Sequence, residues 1–214
     1  MKKLNMRRAN LVHYARSELL STMPNLETLH IVSGREVVNT PMLPTKFLYL
    51  KHLTVRLIGL PFSPSYDYFS LVSFLDASPS LETLIMDVTQ RHMGHESVFT
   101  DSNLRQMPEH RHGYLKSVKI TGFNSAKGLV ELTCYILKNT VSLECLTLGT
   151  IYGFLRCYLK TSTKCDTMSE GILKEARRMV TAIRTFIEDK VPSTVKLIVL
   201  EPCSRCHVRG FKLF

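Results

Sequence analysis

The words PNLETL (Pro24–Leu29), SPSLETL (Ser78–Leu84) and VSLECL (Val141–Leu146) recur along one chain at irregular intervals. Each fits the template Leu-x-x-Leu-x-Leu, with any aliphatic residue at the Leu positions. Six copies can be traced: Leu26, Leu29 and Ile31; Leu50, Leu53 and Val55; Leu81, Leu84 and Met86; Leu115, Val118 and Ile120; Leu143, Leu146 and Leu148; and Val195, Ile198 and Leu200. A Pro or a Ser/Thr cluster often stands just before a copy. The last two template positions alternate, so in an extended strand both side chains point to the same side. One such strand cannot bury its own apolar side, but stacked copies bury a shared one.

The segments between copies often read as helix or turn. Residues 9–22 carry Val12, Ala15 and Leu19 at helical spacing. Residues 67–77 carry Tyr68, Leu71, Val72 and Leu75, and Pro79 then forces the chain out of helix. Residues 125–138 carry Leu129, Leu132 and Ile136, with Asn139 as a stop. The clearest helix covers about 168–190, where Thr167 and Glu170 form a capping-box pattern. Ile172, Ala176, Met179, Val180, Ile183 and Ile187 make its apolar face; Lys174, Arg177, Arg178 and Arg184 populate the other, and Pro192 ends it.

Strand, helical connection, strand, repeated, predicts an α/β leucine-rich-repeat solenoid. It has a parallel β-sheet, helical or irregular connections, and a C-terminal helix closing the end. The copies begin about 24 to 34 residues apart, except for a last gap long enough to hold a degenerate copy or an inserted helix. The expected organisation is a single domain over 1–214: an N-terminal helical cap in 1–22, repeats in 23–160, and the C-terminal helix with the last strand in 161–214. Leu26, Leu81 and Leu143 are then one structural slot refilled. The Glu beside each lies near the strand start, where it stays solvated.

Longer words carry a family resemblance. LKSVKITGF (Leu115–Phe123) followed by SAKGLVELTCYILKNTVSLECLTL (Ser125–Leu148) resembles the C-terminal part of plant F-box/leucine-rich-repeat proteins, including the type with an FBD-like tail. SPSLETLIMDV (Ser78–Val88) resembles the preceding repeat, and VPSTVKLIVLEPCSRC (Val191–Cys206) resembles tails of grass members. The resemblance covers roughly residues 20–206. It implies a protein–protein interaction module like the substrate-recognition repeats of an F-box E3 ubiquitin ligase subunit. The residues before Leu26 leave no room for an F-box, so the repeat region alone is expected, without recruitment of the Skp adaptor by the usual contact.

In this fold the strand residues that alternate with the Leu slots line the concave face. By register these include Thr28, His30, Thr54, Arg56, Thr83, Asp87, Lys119, Thr121 and Thr147. From them His30, Thr54, Arg56, Asp87, Lys119, Thr121 and Thr147 form the expected partner-binding set. The set is more basic than acidic, and the chain carries a net charge of +10, so a protein partner with an acidic surface is expected. The alternative is a basic nucleic-acid-associated protein. It is less favoured, because beyond Lys2, Lys3, Arg7 and Arg8 the cations are dispersed, and no Tyr-and-basic interleaving suits base stacking.

No apolar run reaches the length of a membrane span. The basic N-terminus is interrupted by His13, Arg16 and Glu18 and does not read as a secretory signal. The six cysteines therefore read as reduced thiols in a cytoplasmic or nuclear protein. No GxSxG, P-loop, GxGxxG, HExxH or kinase signature occurs, and no spacing picks out a triad. No catalytic residues and no cofactor are expected.

Two stretches invite a metal reading. Cys203-Ser204-Arg205-Cys206-His207 has the wording of a covalent haem site, which needs an export route, and of a partial zinc site, which needs a further ligand. A reduced terminal segment is the expectation. His92, His95, His110 and His112 lie in residues 91–113, read as a long loop between the third and fourth strands. Without helix or strand scaffolding, or a carboxylate at fixed spacing, these histidines are expected in a solvated recognition loop and not around a metal.

Overall fold

A computed structural model of the chain describes residues 2–36, 39–59, 66–89, 96–106, 109–151, 168 and 170–202. Seven strands, β1 (Lys3–Ala9), β2 (Thr28–Gly34), β3 (His52–Ile58), β4 (Thr83–Thr89), β5 (Ser117–Thr121), β6 (Cys145–Gly149) and β7 (Lys196–Leu200), form one sheet in chain order. Every neighbouring pair is parallel. This is the α/β solenoid arrangement that the repeated words predict.

The register aligns the template positions. Leu29, Leu53, Leu84, Val118 and Leu146 form one inward row, and Ile31, Val55, Met86, Ile120 and Leu148 the next. The slot residues Leu26, Leu50, Leu81, Leu115 and Leu143 are all buried in the same core. Burying a side chain of this size stabilises by about 1.5–3 kcal/mol. The residues just after the slots explain the recurring Glu. Glu27, Lys51, Glu82, Lys116 and Glu144 occupy equivalent places in successive coils, so opposite charges alternate along the edge. Their backbones form a ladder: the Lys51 N–H donates to Glu27 O at 2.9 Å, Glu82 to Lys51 at 2.8 Å, Lys116 to Glu82 at 2.9 Å and Glu144 to Lys116 at 2.8 Å.

The helices pack on the inward face. α1 (Leu11–Tyr14) continues through a π-turn, Ala15–Leu19, into α2 (Leu20–Thr22). No side chain of its own caps its start. The next coil does so instead: Ser33 Oγ accepts from the Leu11 N–H, and the Glu36 carboxylate accepts from Val12 and His13. A 3₁₀ turn at Tyr68–Leu71 leads into α3 (Val72–Asp76), and the Asp67 carboxylate caps that turn by accepting from the Phe69 N–H. α4 (Lys127–Asn139) and α5 (Glu170–Phe186) complete the layer. A void of about 10 Å³ between Leu53, Val55, Leu84 and Met86 of the sheet and Leu71, Phe74, Leu75 and Leu132 of the helices shows how closely the layers meet. α5 buries Ala176, Met179, Val180 and Ile183 and exposes Lys174, Arg177, Arg178 and Arg184. Thr167, the expected capping partner of Glu170, lies outside the described residues.

Two expectations need correction. Residues 1–22 are not wholly helical, because Lys3–Ala9 is the first strand of the sheet. Leu4 and Met6 alternate as the template requires and pair with Leu29 and Ile31. The surrounding Lys and Arg residues disguise that alternation, since an edge strand leaves its polar side chains in water. In the last copy the inward residues are Leu197 and Val199, paired with Leu146 and Leu148. Ile198 and Leu200 therefore face outward. VKLIVL is apolar at nearly every position, so hydrophobicity alone cannot choose its register, and a slip of one residue reverses every side chain.

Candidate partner-binding face

Among the described residues, no helix lies on the other side of the sheet. The register arranges its central side chains in two adjacent rows: Asn5–His30–Thr54–Ile85–Lys119–Thr147–Ile198 and Arg7–Val32–Arg56–Asp87–Thr121–Gly149–Leu200. All seven residues of the expected set fall in these rows: His30, Thr54, Lys119 and Thr147 in the first, Arg56, Asp87 and Thr121 in the second. Alternating burial in β2 to β6 is the local cause, with each outward residue more accessible than its inward neighbours except at Gly149.

Sequence reasoning missed four apolar residues here, Val32, Ile85, Ile198 and Leu200, and three from β1, Lys3, Asn5 and Arg7. Once β1 is recognised the template supplies its members directly. Ile85 follows Leu84 in the apolar run LIM, and only the strict alternation of the template assigns it outward.

The electrostatics are lopsided. Among the strand residues of this face the single acid is Asp87, against Lys3, Arg7, Arg56, Lys119 and Lys196. Arg56 Nε lies 2.9 Å from Asp87 Oδ2, and the Arg56 side chain remains 45% exposed while Asp87 is largely covered. Two of these cations stand on β1 and one each on β3, β5 and β7, whereas Thr147, Gly149, Ile198 and Leu200 leave the β6–β7 end of the two rows uncharged. Thr121 Oγ1 donates to the Met86 carbonyl at 3.2 Å, which fixes that side chain against β4.

The helical side holds a second group of polar residues. Arg105 donates to Asp67 at 2.6 and 2.7 Å and to the buried Glu131 at 2.5 and 2.7 Å, and its guanidinium lies 4.5 Å over the Phe69 ring. These bonds, with burial opposing, raise its pKa. The Lys127–Asp101 contact pins the same segment, 96–106, to the start of α4. This stretch belongs to the histidine-bearing loop, yet it is anchored at several points and is not free in solvent.

Farther along, His110 and His112 meet Asp76, the last residue of α3, whereas His92 and His95 lie outside the described residues. His112 is buried, contrary to a solvated loop, because its N–H donates to Asn139 O at 2.8 Å and its segment bridges to Thr140. Burial alone would raise the Asp76 pKa. Hydrogen bonds from His112 and Tyr135, with the nearby His110, outweigh that effect and leave the carboxyl below its ordinary value. Cys203, Cys206 and His207 lie outside the described residues. No helix among the described residues is long and apolar enough to cross a membrane.

One parallel strand per coil, an inward aliphatic ladder and helices on one side define a leucine-rich-repeat domain. The profile of the At1g61320/AtMIF1 LRR domain matches residues 1–204. The chain belongs to that family. No curated protein and no solved structure matches it.

Proposed function

We propose that the open sheet face binds a partner protein that presents an acidic surface. The observation that carries this reading is the open sheet face, on whose strands five cationic side chains stand against one acid that is already ion-paired. Leucine-rich-repeat domains typically serve as non-catalytic interaction modules, and this reading assigns no bond-making step. Ile85, Val32 and the β7 residues give the face apolar contact area, while Arg56 and Lys119 give it charge selectivity. The finer role is substrate selection for ubiquitination in the cytoplasm or nucleus, with Skp recruitment left to an F-box on whichever chain supplies one.

The test is affinity purification with mass spectrometry, using the chain and its Arg56→Glu/Lys119→Glu variant as baits. A partner retained by the first and lost by the second, with Skp and cullin components scored beside it, supports the reading. Equal capture by both baits rejects this face. Electrophoretic shift with generic duplex DNA over a salt series distinguishes the nucleic-acid alternative, whose binding falls steeply as salt rises.

A further inference from the structure

We propose that Asp76, His110 and His112 form a binding site for one zinc ion, tying the loop after β4 to helices α3 and α4. One ligand atom from each of the three residues lies within 4.8 Å of the other two. His112 Nε2 is 3.4 Å from Asp76 Oδ1. That is the separation that tetrahedral zinc imposes on two ligands bound at about 2.0–2.2 Å. The His110 and His112 rings stand 5.2 Å apart between centroids, so a rotation of the half-buried His110 side chain closes the set.

The backbone holds this arrangement in place. The His110 N–H donates to Asn139 Oδ1 at 3.1 Å, and the His112 N–H donates to Asn139 O at 2.8 Å. The Val141 N–H donates in turn to His112 O at 3.3 Å. His-x-His in such an extended segment sends both imidazoles to one side. The Tyr135 hydroxyl, on α4, donates to Asp76 Oδ1 at 2.6 Å and lies 3.5 Å from His112 Nε2. A hydrogen bond of this kind helps to orient a ligating carboxylate.

Two imidazoles and a carboxylate suit zinc, and three protein ligands leave a fourth position for water. An adjoining cavity of about 270 Å³, lined by Asp76 and His110 among others, gives that water room. Arg16 and Lys46, on the same cavity, are the charges that oppose a cation. Most of the Arg16 donors are engaged, Nε with Ser73 O at 3.3 Å, Nη1 with Thr45 O at 3.1 Å and Thr45 Oγ1 at 3.3 Å, and Nη2 with Leu43 O. An Nη2 N–H remains, so Arg16 is only partly held away from the carboxylate by these other acceptors.

The experiment uses the full chain carrying Cys203→Ser and Cys206→Ser, which removes the other metal-like donor set. The protein is stripped with a chelator and titrated with zinc by calorimetry, and with cobalt by visible absorption. The expected results are one zinc per chain, intense tetrahedral cobalt bands, and loss of both in His110→Ala and His110→Gln. Both variants should keep the metal-free melting temperature of their parent. Tyr135→Phe should weaken zinc binding about tenfold. Absence of stoichiometric binding and of cobalt bands in the parent overturns the site, and so does zinc binding unchanged by the His110 substitutions.

Discussion

The inward row Leu29–Leu53–Leu84–Val118–Leu146 and the outward row His30–Thr54–Ile85–Lys119–Thr147 lie one residue apart on the same strands. In the first, every side chain is aliphatic and at most 3% exposed. In the second, an imidazole, a hydroxyl, an isoleucine, an ammonium and another hydroxyl follow one another. Packing against α3 and α4 constrains the inward side to a narrow range of volumes, because a close-packed interior tolerates neither gaps nor excess. Among the described residues, no element packs on the outward side in that way. Fold and binding surface are thus written on alternate residues, which is why the recurring words report so much about architecture and so little about the partner.

The strongest way to break the comparison is in the middle of the inward row. Leu84→Ala should destabilise the domain by about 2–5 kcal/mol, through lost burial and the cavity left between sheet and helices. Urea unfolding followed by circular dichroism measures it. A loss below 1 kcal/mol would mean that the coils do not share one core.

Removing Glu131 tests whether the covered side also depends on buried polar bonds. Glu131 is buried, and Arg105 is nearly half exposed. Solvent screening therefore limits the cost of Glu131→Ala to about 1–3 kcal/mol, below that of breaking a fully buried pair. The same unfolding experiment reads it. Increased proteolysis within 96–106 should accompany it, since the Arg105 and Lys127 contacts hold that segment to α4.

The comparison sharpens at β7, where the template placed Ile198 inward and the register places Leu197 there. Leu197→Asn should cost about 1–2 kcal/mol, by putting an amide where an apolar side chain packs. Ile198→Asn, on the open side, should stay within about 0.5 kcal/mol. Equal costs would return the strand to the other register.

Legibility followed the same division. The sheet, its parallel order and the helices at 125–138 and 168–190 were readable, because a period of two and a period of 3.6 differ sharply over those stretches. β1 was not, since charged residues surround Leu4 and Met6 and a single edge strand leaves a weak pattern. The register of β7 was not, since both of its faces are apolar. The seven expected face residues follow from alternation alone. The convergence of His110 and His112 on Asp76 had no sequence signal beyond His-x-His, because the carboxylate arrives from a helix in another coil.

The smallest expected change in stability is also the most informative about the open face. Ile85 is the large apolar residue at its centre, 36% exposed, flanked by Thr54 and Lys119 on the adjacent strands. Ile85→Ala gives up little burial and some strand propensity, so its unfolding free energy should move by no more than about 0.5 kcal/mol. If the face binds protein, a central apolar contact ringed by polar groups is where affinity concentrates, and truncating it should weaken partner binding by more than about tenfold. Leu84→Ala, one residue earlier, should reverse the ratio when binding is measured under conditions where the variant stays folded. Calorimetric titration of the captured partner against both variants checks the pair. If Ile85→Ala leaves affinity unchanged, the contact lies elsewhere on the domain, and the freedom of the outward row reflects only the absence of packing.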